Sequence, residues 1–440
     1  MRLLRALLQF LMPGFGVKRW LSLALPGLLI LGMGIGLLRR GEGVDIIRIP
    51  NRILTLIAAR SGIPLWTDAG PFVLIAGLVF TAIGTIWLVY CVRHLTHALS
   101  PSGAKHGSVT GLVDRVFRAK YLAQGPRIVA IGGGTGLSTM LRGLKHYTAN
   151  IVAIVTVTDD GGSSGKLHRL LNIPPPGDIR NCLVALADAE GTMTELLQYR
   201  FRGPGTGEGL RDHAVGNLLI AALTELNNGD FQKAVLQASQ VLNIRGEVWP
   251  STLEQITLVG EMEDGSILHG ETTIAHSPLN IKRIRLNPED VSAPPEVIEA
   301  IENADIIVIG PGSVYTSIVP NLLVRGIPEA LNRARAPRVY VCNVMTQPGE
   351  SDRFSASDHV QAVVGHVPVK IVDYVLLNTD VPSPALLDKY RLSGSGLVTA
   401  DTDRIRKLGF KPLPGSFISG TDVVRHDPTK LAEAIMRLLS

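Results

Sequence analysis

Three hydrophobic runs in this chain each end in a glycine-rich loop. They are RIVAIGGGTG at 127–136, IVAIVTVTDDGGSSG at 151–165 and DIIVIGPGS at 305–313. A strand that ends in glycines and opens a helix leaves backbone N–H groups free at the positive end of the helix dipole, which is a cradle for phosphate. Three such loops on one parallel sheet would hold a phosphorylated ligand across the carboxyl edge of the strands.

The rest of the chain from 127 onward fits that frame. Ile151–Thr158 is a continuous β-branched run, as expected of a strand buried on both faces. Leu137–Tyr147, Asp178–Ala189, Ala214–Leu226, Pro294–Asn303, His359–Val364 and Lys430–Leu439 read as helices. Asp305–Ile309, Arg338–Cys342 and Val372–Leu377 read as further strands. Gln255–Ile274 differs: it reads as two strands joined at the turn Asp264-Gly265, and Ile281–Leu286 adds a third. The expected fold is α/β, a doubly wound, mostly parallel Rossmann-like sheet over 127–440 with a small antiparallel insertion.

The first hundred residues are of another kind. Residues 20–38 and 71–92 carry no charge, and each run is long enough for a hydrocarbon core of roughly 30 Å. A cleaved signal peptide would account for the first run alone. The second predicts a two-helix transmembrane hairpin over 1–99, followed by a linker at 100–126 with a short amphipathic helix. Arginines and lysines occur before, between and after the runs, so the positive-inside rule gives no orientation. A pocket for a nucleotide-type ligand needs cytosolic contents, which places the C-terminal region in the cytoplasm of a two-pass membrane protein. Three unevenly spaced cysteines indicate no disulfide framework. The net charge is only +5. With no zinc-finger spacing and no basic-aromatic run, nucleic acid is not an expected partner.

The loops match no common nucleotide fingerprint in full. In Gly132-Gly133-Gly134-Thr135-Gly136, Leu137 stands where a dinucleotide fold wants its third glycine, although Asp159 does end the next strand, where a ribose would be read. NAD therefore stays open. Residues 160–167 (DGGSSGKL) fail as a Walker loop. Asp159 and Asp160, before Gly161, Gly162, Ser163 and Ser164, are the candidate catalytic pair. One could hold Mg²⁺ or a ribose hydroxyl while the other fixes the turn. Asp178 follows three prolines and Gly177 and should lie near a helix N-terminus. Arg180, beside Asn181, could fork onto a phosphate or onto Asp178. His213 either caps a helix or joins Asn217, one turn on. Ser313, Thr316 and Ser317 follow the third loop, Tyr315 either stacks or packs, and Asn343 and Thr346 end another strand on the same edge.

The ordered set GGGTGLS, TDDGGSSG, PPPGDIRN, HAVGN, LNIRG, EMEDG, GPGSVYTSIVPNLLV and CNVMTQPGE resembles the YvcK-type gluconeogenesis factors, in the superfamily of CofD, the 2-phospho-L-lactate transferase. The resemblance covers residues 127–440; the N-terminal hairpin departs from the soluble members. It implies a protein that binds a UDP-sugar such as UDP-N-acetylglucosamine and regulates cell shape, peptidoglycan synthesis and growth on gluconeogenic carbon. Cell-wall synthesis or signalling proteins would be its partners, and self-association is left open. The alternative it implies is an Mg²⁺-dependent enzyme like 2-phospho-L-lactate transferase, acting on a nucleotide-linked substrate. The phosphate loops carry over to Gly132–Gly136 and to Gly310, Pro311, Gly312 and Ser313. The acidic motif carries over to Asp159 and Asp160, and late pocket elements to Tyr390 and Arg425.

Overall fold

Alternate residues of the central strands enter two different cores. The computed structural model describes residues 17–38, 70–98 and 121–440, the last range without 189, 204–206, 208, 420–422 and 440. The expected linker helix and most of the arginines flanking the apolar runs lie outside these residues. The chain divides into two compact units, Met1–Ala119 and Lys120–Ser440.

The first unit presents two helices, α1 (Val17–Leu38) and α2 (Gly70–Ala98). They pack antiparallel and close. A methyl group on Gly34 would lie 2.5 Å from the backbone nitrogen of Thr81, and one on Gly84 would lie 2.6 Å from that of Leu31. Small residues let two apolar helices approach backbone to backbone. The Trp87 indole donates to the Leu23 carbonyl at 2.7 Å. Leu25, Leu28, Leu29, Ile75, Ile86 and Val89 remain exposed. Ile75–His94, with mean hydropathy 2.1 over its 20 residues, is long and apolar enough to cross a membrane; the apolar stretch Leu23–Leu38 is shorter.

Among the described residues the second unit holds ten strands: β1 (Ile128–Gly132), β2 (Ile151–Val155), β3 (Glu247–Pro250), β4 (Thr257–Met262), β5 (Ile267–His269), β6 (Ile281–Asn287), β7 (Ile306–Ile309), β8 (Arg338–Val341), β9 (Tyr374–Asn378) and β10 (Lys411–Gly415). Seven form one parallel sheet in the order β10-β9-β8-β7-β1-β2-β3. Val129, Ile131, Ile154, Ile307, Ile309 and Tyr340 feed the core on one face. Ile128, Ala130, Ala153, Val155, Ile306 and Val308 feed the core on the other. A strand covered on both sides has no solvent face, which is why these runs are continuously apolar. β4, β5 and β6 form the antiparallel insertion, and the Asp264 carboxylate closes its turn by accepting the Ser266 N–H at 2.9 Å.

The expected architecture is present, with boundaries moved. Helix α3 (Gly134–Leu144) starts inside the glycine loop, α4 (Gly162–Leu171) follows the second loop, α5 (Gly177–Leu186) stops before 189, and α6 is Val215–Leu226. The sequence reading missed β3 and β10. β10 (KPLPG) carries two prolines, which an edge strand tolerates and a central one does not. The second expected hairpin strand ends at His269, and Glu271–Ala275 turns helical.

Ile131 is fully buried in the middle of this sheet. Ile131→Ala should lower the stability of the second unit by roughly 2–5 kcal/mol, read from denaturant unfolding. A loss below about 1 kcal/mol would show that the site collapses around the cavity.

Candidate functional site at the carboxyl edge

The chain leaves β1 toward β2 and β3, then returns on the other side of β1 through β7 to β10. The carboxyl ends of β1 and β7 thus flank the point where the winding reverses, where open α/β sheets keep their ligands. All three glycine loops lie around it. The loops after β1 and β7 are in contact: a methyl group on Gly136 would lie 2.4 Å from the Pro311 carbonyl oxygen. Gly134 has φ +64° and only Ser317 Oγ near its Cβ position, so a side chain there would be strained and would fill the opening of the loop.

The β7 loop is held by side chains from beyond β8. Asn343 clamps Gly312 on both sides, accepting its N–H at 3.2 Å and donating to its carbonyl at 2.8 Å. Ser313 Oγ donates to Gln347 at 2.6 Å, and Thr316 Oγ1 donates to Glu350 at 2.9 Å. Gly310 and Pro311 lead into a π-helical turn, Val314–Ile318, a geometry that recurs at functional sites. Tyr315 packs: it is buried, edge-on to Phe354 and His366. Thr346 accepts the Gly396 N–H at 2.8 Å.

Five carboxyl groups gather around the β1 and β2 loops. Asp178, in the first turn of α5, accepts the Gly134 N–H at 2.7 Å. Burial, with the Asp159 charge adding to it, pushes its pKa up to about 6. Asp159 is also raised by burial; it accepts the Gly161 N–H at 3.0 Å and bonds Ser164. Asp160 turns away and accepts both the N–H and the hydroxyl of Thr272, at 2.9 and 2.5 Å. It thereby ties the insertion to the loop. Sequence reading overlooked the other two. Burial and the charges of Asp159, Asp178, Glu350 and Asp160 push Glu271 up to about 9. Burial pushes Glu350 up to about 7. Glu350 closes the quoted motif CNVMTQPGE, whereas Glu271 had no local signal beyond following a hairpin.

The paired aspartates point toward different parts of the protein. Asp159 accepts from Gly161 and Ser164, and one oxygen of Asp160 accepts from Thr272, in a different direction. Among the described residues no three His, Cys, Asp or Glu side chains come together as a metal shell.

Arg180 is the cation of the site. It is only 8% exposed. It does not fork onto Asp178: Nη1 donates to Asn217 Oδ1 at 2.8 Å and Nη2 to Asn181 Oδ1 at 2.9 Å, while Nε has no partner. Two neutral amides therefore hold a buried guanidinium. His213 does not cap α6, whose N-cap is Ala214. Its Nδ1 lies 3.1 Å from Ser163 Oγ, which also accepts the Ala214 N–H at 3.3 Å and the Asn217 side chain at 3.1 Å. Ser164 Oγ accepts the Gly177 N–H at 3.0 Å. Tyr390 Oη accepts the Val424 N–H at 3.1 Å, beside Arg425, which is exposed. Its expected alternative partner Asp427 instead caps the helix Pro428–Met436. Asp422 lies outside the described residues.

Comparison with known proteins agrees with this geometry. Residues 128–418 match the family model described as 2-phospho-L-lactate transferase CofD. Gluconeogenesis factors from Halalkalibacterium halodurans and Bacillus subtilis are 48% and 46% identical, over 70% and 72% of this chain and 95% and 99% of their own lengths. The chain belongs to the CofD family, in its gluconeogenesis-factor branch. A relative from Nostoc is 41% identical over 98% of this chain and 92% of its own, so its match extends into the N-terminal unit. A crystal structure from Bacillus halodurans, of a member of the upf0052 family, superposes with TM-score 0.67 at 47% identity. It covers 71% of this chain and 99% of that one.

Asp178 gives this site a pH signature. Between its ordinary 3.8 and about 6 the folded protein keeps a proton that the unfolded chain has released. Its contribution to stability is therefore lost as pH rises through that window. Asp178→Asn keeps an acceptor for Gly134 without the buried charge. It should melt above wild type at pH 8, with the gap closing near pH 4. A lower melting point than wild type at pH 8 would show that the charge itself holds the loop.

Proposed function

We propose that this chain binds a UDP-sugar, such as UDP-N-acetylglucosamine, at the switch point of its sheet, and that it regulates cell shape, peptidoglycan synthesis and growth on gluconeogenic carbon. The observation that carries this reading is Arg180: a buried guanidinium without a carboxylate in ion-pair contact, beside three glycine loops. Burying an unpaired charge is costly unless an anion completes it, and a pyrophosphate is suited to both the guanidinium and the loop N–H groups. Carboxyl groups raised toward neutrality (Asp178, Glu350, Glu271) can donate as well as accept, which suits sugar hydroxyls.

A regulatory role is favoured over catalysis because Asp159 and one oxygen of Asp160 already accept hydrogen bonds from the protein itself. The relatives' name, gluconeogenesis factor, is in keeping with it. On this reading the hairpin anchors the protein in the membrane with the second unit in the cytoplasm, where cell-wall synthesis or signalling proteins are its partners.

Calorimetric titration with UDP-N-acetylglucosamine tests the pocket. Arg180→Ala should weaken binding at least about tenfold, or roughly 1.4 kcal/mol. Wild-type affinity in this variant would remove Arg180 from the site. The ligand should be recovered intact. Cleavage of its pyrophosphate with an acceptor present would favour the transferase reading instead. For the anchor, the full-length chain should stay in the membrane fraction through a high-salt wash; recovery in the soluble fraction would refute it.

A further inference from the structure

The bonds around Ser163 fix the chemical state of His213. A serine hydroxyl has two lone pairs and one proton. Both lone pairs are taken, by the Ala214 N–H at 3.3 Å and by Asn217 Nδ2 at 3.1 Å. The Asn217 amide cannot be reversed, because its Oδ1 accepts from Arg180 at 2.8 Å. The one proton left on Ser163 points to His213 Nδ1, 3.1 Å away. His213 is therefore neutral, with its proton on Nε2. All three side chains are buried, so no solvent can replace a lost partner.

We propose that His213 is a positioning residue for the ligand-binding arginine, acting through Ser163 and Asn217 to hold the Arg180 guanidinium in line with an anionic ligand. The idea rests on the reading of Arg180 given above and adds a control to it. A proton on Nδ1 would make His213 a donor to an oxygen whose lone pairs are already filled. One of the two N–H donors must then leave. The Ala214 N–H is fixed in the chain where α6 begins, so the Asn217 amide is the one that yields, and Arg180 loses the partner on Nη1. The groups facing His213 oppose this protonation in the resting protein. Burial first, then Lys166 and Arg200, lower its pKa below the ordinary 6.5, against Asp212.

Two measurements on the full-length chain in detergent decide the matter. The first needs no ligand. The side-chain amide resonances of Asn217 should shift in step with the His213 ring as pH falls below 6.5, and this coupling should vanish in Ser163→Ala. Independent titration of the two would overturn the relay, whatever the ligand proves to be. The second is the affinity for UDP-N-acetylglucosamine as a function of pH, in wild type and in His213→Asn. Asn offers an oxygen near the Nδ1 position but takes up no proton. It should bind several-fold more weakly at pH 8, and its disadvantage should shrink as pH falls below 6.5. The nearby carboxyls titrate in both proteins, so the ratio of the two affinities isolates His213. A ratio that does not change with pH, while wild type binds well, would sink the relay and leave the pocket standing. No binding by wild type at any pH would sink the pocket instead.

Discussion

A single hydrogen bond, from the Gly134 N–H to the Asp178 carboxylate, sets the geometry on which the rest of the site depends. Gly134 opens the helix after β1, and Asp178 opens the helix after the proline run. Joining them brings two helix N-termini to the same place beside β2. The positive end of a helix stabilises an anion, and Asp178 serves as a resident anion for the β1 loop. Its cost is burial of a carboxylate, which is why its proton is held up to about 6. Asp159 lies close enough to raise it further, so the two loops are coupled through charge as well as through packing.

The glycine-loop motifs point to the carboxyl edge, where the structure gathers their residues, but not to the bonds those residues make. The strands and their order were legible because a parallel sheet buried on both faces needs unbroken apolar runs, and Ile128–Ile131, Ile151–Val155 and Ile306–Ile309 are such runs. β3 and β10 were not, because edge strands relax that demand and admit Pro250, Pro412 and Pro414. The gathering of Asp159, Asp160, Asp178, Arg180, Ser163, His213 and Asn217 followed from the switch-point rule. Their bonds did not. Spacing along the chain cannot show that Asp160 reaches 112 residues ahead to Thr272, or that Arg180 prefers two amides to a nearby carboxylate. Glu271 was invisible for the same reason: only the fold of the insertion brings it to four other carboxyls.

The tie between Asp160 and Thr272 gives the insertion a role in the site. Leu258, Met262, Ile284 and Leu286 of β4 and β6 are buried in the same core as Ile131, Ile154 and Ile309 of the main sheet. What the insertion gains from the Asp160 contact is position. The N–H and hydroxyl of Thr272 converge on one carboxylate oxygen, at the start of the turn that carries Glu271. A carboxylate in the β2 loop thus holds in place the residue with the most raised carboxyl of the five.

Protonation then becomes part of how the site accommodates charge. Three of its carboxyls sit near or above neutrality, at about 6, about 7 and about 9, while the one buried guanidinium has no ion-pair partner. With the carboxyls partly protonated, the pocket is closer to neutral than its residue count suggests. When Asp178 and Glu350 ionise, the N–H and O–H groups that already donate to them support the negative charge. An incoming anion would act on these groups in one direction: negative charge nearby raises a carboxyl pKa. Each proton taken up would remove a repulsion that the anion would otherwise face. On the proposed reading, the cluster would lower the electrostatic cost of the pocket both empty and filled. Arg180 could not do this alone, because a guanidinium keeps its proton at every physiological pH and offers only a fixed positive charge.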